Sequence, residues 1–306
     1  MDPAPLDLWI TLHGEKANDE VIRDAVRRLR AEDARIRVRV TWEPGDATAF
    51  ASEAAQMGCP TVVACGGDGT INETLQGLIT NRRPSSTALG VVAMGTANDF
   101  ARACELPVRD PLAALQLIHQ HPPQLIDVAL ANGRPFLNVA SGGYGAEITN
   151  ETPAEIKRML GGFAYFLTGI THASTIVPQE IAVSAPDFNW KGEVLALTVA
   201  NGRQAGGGFQ VAPQALLDDG LLDVMIIPNV PWGNFLSLVG DLIEDPDSVD
   251  MEHVVRLRTP WLEVTAPAGL HVNVDGEPLD DNFFRFEVLP KSLPLHLLPG
   301  IDILSR

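Results

Sequence analysis

Residues 61–73 read TVVACGGDGTINE, an apolar run that enters Gly66-Gly67-Asp68-Gly69-Thr70 and leaves in a helical pattern. A strand that stops in such a loop and restarts as a helix confines the chain to an α/β arrangement. Three glycines in four positions let the backbone turn sharply and present N–H groups to phosphate oxygens. The start of the following helix adds a favourable dipole. Asp68 and Glu73 are out of place in a site that binds anions alone, yet they suit one in which Mg²⁺ accompanies the phosphates. The same residues also read as a tight strand-to-helix turn with Asp68 or Thr70 as N-cap.

A second loop repeats the design. The run LGVVA (89–93) leads into Met94-Gly95-Thr96-Ala97-Asn98-Asp99, where Gly95 frees the backbone and Thr96, Asn98 and Asp99 offer short polar side chains at a helix start. Around these loops the periodicity alternates. Strands are expected at 6–13, 36–42, 61–65 and 89–93, and helices at 19–32, 47–57, 71–79 and after Pro111. This is the pattern of a parallel sheet flanked by helices.

Beyond about Asp127 the texture changes to short β-like runs at 136–140, 194–200, 221–227, 261–266, 271–275 and 283–289, with helical insertions expected at 153–170 and 231–244. The reading is an α/β N-terminal domain over residues 1–127 followed by an antiparallel β domain over 128–306.

Composition removes several functions. With 22 basic and 39 acidic residues the formal charge is −17, so a sequence-independent grip on nucleic-acid phosphates is not expected. Residues 1–140 carry 13 basic and 17 acidic side chains and residues 141–306 carry 9 and 22. An anionic ligand therefore meets less repulsion on the first half. The arginines of residues 23–39 interleave with Asp24, Glu32 and Asp33 and read as a solvated face. No Gly-Lys-Ser/Thr ending follows either loop, and no lysine lies between Lys16 and Lys157, so phosphate binding must lean on backbone N–H groups, metal and arginine. Three cysteines without C-x-x-C spacing point to a reducing cytoplasm, and no apolar run approaches the roughly 18–20 residues that span a bilayer.

GGDGTINE (66–73) together with MGTANDFAR (94–102) resembles the diacylglycerol kinase catalytic domain. NGRQAGGGFQ (201–210), LLDDGLLDV (216–224) and NVDGEPL (273–279) are similar to its bacterial branch, the YegS-like lipid kinases, and the likeness runs in order over nearly the whole chain. GGDGT alone is shared with NAD kinases. Asn72-Glu73 and the GTANDFA loop are more specific. The resemblance implies an α/β nucleotide-binding domain over residues 1–127 and a C-terminal antiparallel β-sandwich lipid-substrate domain over 128–306, the last residues being candidates for a return to the first domain. It implies an ATP-dependent lipid kinase that moves the γ-phosphate of ATP to a lipid hydroxyl of the diacylglycerol, phosphatidylglycerol-like or sphingoid kind, in the cytoplasm with transient contact to the membrane surface. Oligomeric state is not legible. An NAD kinase-like phosphotransferase and a non-catalytic nucleotide or lipid sensor on the same fold are the alternatives.

The resemblance further implies site residues. Thr41, the loop Gly66, Gly67, Asp68, Gly69, Thr70, Ile71, Asn72 and Glu73, and Thr96 would contact the nucleotide. Glu277 would be the general base, with Asp275 facing metal or orienting it. Asp219 with the backbone carbonyls of Leu216 and Leu221 would hold a structural Mg²⁺ or Ca²⁺. Where relatives carry an asparagine after the first strand, this chain has His13. Read from the residues alone, Asp275-Gly276 is equally an ordinary hairpin turn.

Overall fold

Strands that are apolar on both faces need layers on both sides, and the first part of the chain meets that need by alternation. The structure is a computed structural model that describes residues 7–32, 34–143, 178–230 and 254–305. Two units are distinguished, Met1–Val128 with Leu289–Arg306, and Ala129–Val288.

In the first unit β1 (Asp7–Leu12), α1 (Glu20–Ala31), β2 (Arg35–Val40), α2 (Asp46–Gln56), β3 (Thr61–Gly66), α3 (Asp68–Leu78), β4 (Ala88–Ala93), α4 (Asp99–Ala103) and α5 (Pro111–Gln120) follow one another. The strands lie parallel in the order β2-β1-β3-β4. β3 and β4 are buried at every position, as an apolar run at the centre of a parallel sheet should be. Helix α1 is strongly amphipathic. Ile22, Ala25, Val26 and Leu29 are buried, and Asp19 caps its start by accepting from the Val21 and Ile22 amides. Its polar face is laced by Arg23–Glu20 and Arg28–Asp24 pairs.

β5 (Gln124–Ala131) leads into the second unit, which continues with β6 (Arg134–Phe136), β7 (Val139–Gly142), β8 (Gln179–Ala185), β9 (Phe188–Ala200), β10 (Gln204–Ala205), β11 (Phe209–Gln210), β12 (Leu222–Pro228), β13 (Val255–Thr259), β14 (Trp261–Val274) and β15 (Glu277–Leu295). Pairing here is antiparallel, in the order β13-β12-β9-β7-β14-β15, with β8 joined to β9 and β14. Alternate residues of β8, β9, β14 and β15 fill a core that includes Ile181, Val183, Leu262, Val264, Phe284 and Phe286. The far end of β15 returns to the first unit, where Leu295 pairs in parallel with Leu89 of β4.

Three of the expected elements are bounded differently in the structure. α3 begins at Asp68, three residues before Ile71, because Gly67 is its N-cap and Asp68-Gly69-Thr70 form its first turn. The run at 136–140 is broken at Leu137-Asn138 between β6 and β7. The runs at 261–266 and 271–275 fuse into β14, which absorbs the interruption as an irregularity between Thr265 and Leu270. The helical insertions expected at 153–170 and 231–244 lie outside the described residues.

Candidate active site

Both glycine loops leave neighbouring strands of one parallel sheet at their C-terminal ends, where ligands of open α/β sheets bind. They touch. A Cβ on Gly95 would fall 2.5 Å from the Gly67 Cα, and one on Gly67 would fall 3.2 Å from the Gly95 Cα. The Met94 amide donates to the Gly66 carbonyl at 2.7 Å. Gly66 is equally constrained, since a Cβ there would meet the Thr70 hydroxyl oxygen at 2.3 Å and the His13 Cβ at 3.1 Å. Asn98 holds the second loop. Fully buried and left-handed at φ 53°, its side chain accepts from the Gly95 amide (2.8 Å) and donates to the Gly95 carbonyl (2.9 Å).

Neither Asp68 nor Thr70 caps α3. Gly67 does, and it provides no side-chain acceptor. The first amides of the helix thus lack the side-chain oxygen that usually satisfies them, which suits a phosphate oxygen arriving from outside. Asp68, half-buried beside these amides, accepts a hydrogen bond from the Phe100 amide (3.4 Å). Burial pushes its carboxyl pKa up, and the Asp99 charge pushes it further. Asp99 was not among the residues assigned from sequence, although it lies in the quoted loop.

The other assigned nucleotide contacts divide by depth. Thr41 follows β2 and its hydroxyl accepts from the Gly14 amide (3.0 Å). Glu73 accepts from the Gly45 amide (3.0 Å) and so ties α3 to the segment after β2. Thr96 is exposed. Thr70, Ile71 and Asn72 are buried, which gives them the task of seating the loop on the sheet. His13 sits where β1 ends, and its Nδ1 accepts from the Glu15 amide (3.4 Å). Cys65 is no nucleophile, because burial pushes its thiol up to about 12.

In the second unit Asp275-Gly276 joins β14 to β15. Both residues have positive φ, 48° and 93°, the signature of a tight hairpin turn. Asp275 is not a solvated acid. Its carboxylate accepts from the Leu137 (2.8 Å), Asn138 (3.1 Å) and Val139 (3.0 Å) amides, the segment at which β6 gives way to β7. The turn therefore anchors a strand more than 130 residues away in sequence. Glu277, the first residue of β15, is exposed and pairs with Val274.

This geometry predicts a stability effect. Asp275→Asn keeps a residue tolerant of positive φ but replaces one acceptor oxygen with a donor. It should lower unfolding free energy by about 1–3 kcal/mol, the cost of an unsatisfied amide, measured as a lower urea midpoint at unchanged slope.

Asp219 accepts from the Leu221 amide (3.0 Å) and pairs with Arg258, which also reaches Asp223 at 3.2 Å. Asp223 Oδ2 is buried without a hydrogen-bond partner among the described residues. Burial raises the Asp223 pKa, with Arg258 opposing and the Asp219 charge adding to the rise. Hard oxygen donors and an orphaned carboxylate oxygen fit Mg²⁺ or Ca²⁺, although Arg258 already balances part of this charge. No group of three His, Cys, Asp or Glu side chains among the described residues is placed to hold a metal. Arg203 turns its Nε to the Ala215 carbonyl (2.9 Å) and braces its own loop.

Comparison with known proteins shows the family. Residues 11–131 match the diacylglycerol kinase catalytic domain, and residues 138–297 match the YegS C-terminal NAD kinase beta sandwich-like domain. The chain is 46% identical over 297 residues to a Pseudomonas aeruginosa (strain UCBPP-PA14) protein described as "Probable lipid kinase YegS-like", covering 97% of this chain and 96% of that one. A protein of the same description from Serratia proteamaculans (strain 568) is 41% identical over 305 residues, covering 99% of this chain and 97% of that one. Among solved structures, "Crystal structure of a putative diacylglycerol kinase from Bacillus anthracis str. Sterne" superposes with a TM-score of 0.84 at 25% identity, covering 98% of this chain and 99% of that one. No helix among the described residues is long and apolar enough to cross a membrane. With both domains matched in order and relatives above 40% identity along almost its entire length, the chain belongs to the YegS-like lipid kinases of the diacylglycerol kinase family.

Proposed function

We propose that the protein transfers the γ-phosphate of ATP to the hydroxyl of a membrane lipid, of the diacylglycerol, phosphatidylglycerol-like or sphingoid class. The observation that carries this reading is the apposition of Gly67 and Gly95 at the start of α3, which no side chain caps. Two backbone loops with no side chain between them form a cradle for a polyphosphate. Residues 1–127, with the final residues of the chain, would bind the nucleotide, and the remainder would supply the acceptor side. A lipid alcohol resides in a bilayer, so the enzyme works from the cytoplasm at the membrane surface.

Phosphoryl transfer passes through a loose transition state, and most of the catalytic work is positioning and charge neutralisation. The Gly66–Glu73 loop and Thr96 hold the phosphates. Glu277 takes the proton that the lipid hydroxyl loses as it attacks. Asp275 acts as the orienting partner, because its carboxylate is engaged by the 137–139 amides and thereby sets the turn that carries Glu277. The test is incubation of the pure protein with γ-labelled ATP, Mg²⁺ and a panel of lipid alcohols in detergent. Label should enter one class of lipid, and ATP hydrolysis without labelled lipid would reject the assignment.

Mg²⁺, when bound with ATP, would neutralise phosphate charge, and a second ion would rest on Asp219 with the carbonyls of Leu216 and Leu221. Asp219→Ala should lower activity and need more Mg²⁺ for the same rate. The parent's melting temperature should also rise with Mg²⁺ by ligand linkage, and that rise should shrink in the variant. Equal Mg²⁺ responses in the two proteins would make the Asp219 turn purely structural.

A further inference from the structure

β2 ends at Val40, in register with Leu12 of β1, and the next two residues are Thr41 and Trp42. Trp42 is 95% exposed, far more than any other large apolar side chain among the described residues. Its backbone, in contrast, is held. The Thr41 amide donates to the Leu12 carbonyl (2.9 Å), and the Trp42 and Glu43 amides donate to the Asp46 carboxylate (2.6 and 3.1 Å). Those amides keep the Asp46 carboxyl below the usual carboxylate range. The Gly45 amide donates to Glu73, on the helix that begins in the phosphate loop. An indole left in water on a pinned backbone is unfavourable unless something covers it.

Its position selects what does. The sheet order is β2-β1-β3. Two interstrand steps of about 4.8 Å each put the end of β2 roughly 10 Å from the end of β3, where the phosphate loop starts. That is about the reach of an extended nucleotide from its β-phosphate to its base. Residues 41–46 carry Glu43 and Asp46 and no basic side chain, and Arg39 just before them is paired with Glu53, which suits a neutral aromatic ring better than an anionic lipid surface.

We propose that Trp42 stacks on the adenine base of the bound nucleotide and so completes the site whose phosphate end lies at Gly67 and Gly95. This rests on the reading of those loops as the phosphate cradle. Base–aromatic stacking is tolerant of base identity, so Trp42 supplies affinity and orientation more than discrimination among purines.

The test is calorimetric titration of the full chain and its Trp42→Ala and Trp42→Phe variants with MgATP and with Mg²⁺-bound inorganic triphosphate. Trp42→Ala should weaken ATP binding by roughly tenfold, in line with loss of one stacked base, while triphosphate binds as in the parent. Trp42→Phe should restore most of the ATP affinity. Unchanged ATP affinity in Trp42→Ala overturns the stacking role and leaves the phosphate cradle standing. Equal weakening of ATP and triphosphate also overturns it, because Trp42 would then act through the loop. Loss of binding to phosphatidylcholine vesicles with ATP affinity intact assigns the ring to a lipid surface and overturns it too. A parent that binds neither ligand overturns the cradle and the stacking together.

Discussion

Asp68→Asn should lower kcat by about 10²–10³-fold, the usual cost of removing one electrostatic group from a preorganised site, and at the same time raise the melting temperature at pH 7. The two effects have one cause. Asp68 stands half-buried in the first turn of α3, where burial and the Asp99 charge raise its pKa. A carboxyl whose folded pKa exceeds its unfolded value contributes stability that is fully present below the unfolded pKa, about 3.9, and is lost as pH rises through the folded pKa. At neutral pH the ionised carboxylate is therefore a cost to the fold. The asparagine keeps an acceptor for the Phe100 amide and removes that cost. Melting curves across pH should show the variant above the parent at pH 7, with the gap closing toward pH 3. Full activity in a folded Asp68→Asn protein would remove Asp68 from the machinery. An acid held against stability in a loop proposed to cradle phosphate is the trade expected of a functional site.

The alternation of strands and helices in the first unit is legible because each element carries its own period. α1 shows the helical stripe Ile22, Ala25, Val26, Leu29, and β3 and β4 are unbroken apolar runs. What escapes sequence reading depends on distant partners. β5 was not read as a strand, since Asp127 interrupts its apolar run. The structure satisfies that carboxylate with the Lys291 amide at 2.7 Å, a contact across 164 residues. β13, VRLRT, lies at the end of the described strand order beside β12, and its two arginines, of which Arg258 pairs with Asp219 and Asp223, break up the apolar pattern. β8 does alternate, with Ile181, Val183 and Ala185 inward, but its small residues weaken the signal. α4 has five residues, too few for a period, so only its start at Asn98-Asp99 is legible.

The candidate site divides in the same way. Each glycine loop is visible alone, as is the hairpin turn at Asp275-Gly276. That Gly67 lies against Gly95, or that Asn98 clamps both backbone groups of Gly95, follows from strand order, which no local pattern carries. Asp275 is the clearest instance. Its neighbours in sequence suggest an exposed acid, and its actual partners are amides 136–138 residues away.

That contrast separates the two acids of the Asp-Gly-Glu turn experimentally. Glu277 is exposed, while Asp275 is engaged by backbone, so substitution of Glu277 should leave stability untouched. Glu277→Gln keeps the size and polarity of the side chain and removes its capacity to accept a proton at neutral pH. If Glu277 is the base, kcat should fall by about 10²–10⁴-fold with the KM for ATP and the urea midpoint unchanged. Asp275→Asn should behave differently, with activity falling alongside the urea midpoint and partly recovering under stabilising conditions such as added sucrose. A Glu277→Gln protein with near-full kcat would place the base elsewhere and leave the turn a structural anchor. A loss of stability in Glu277→Gln as large as that in Asp275→Asn would mean that the exposed carboxylate shares the anchoring task. Rate and midpoint must therefore be measured on the same two variants, since only their separation identifies a proton acceptor.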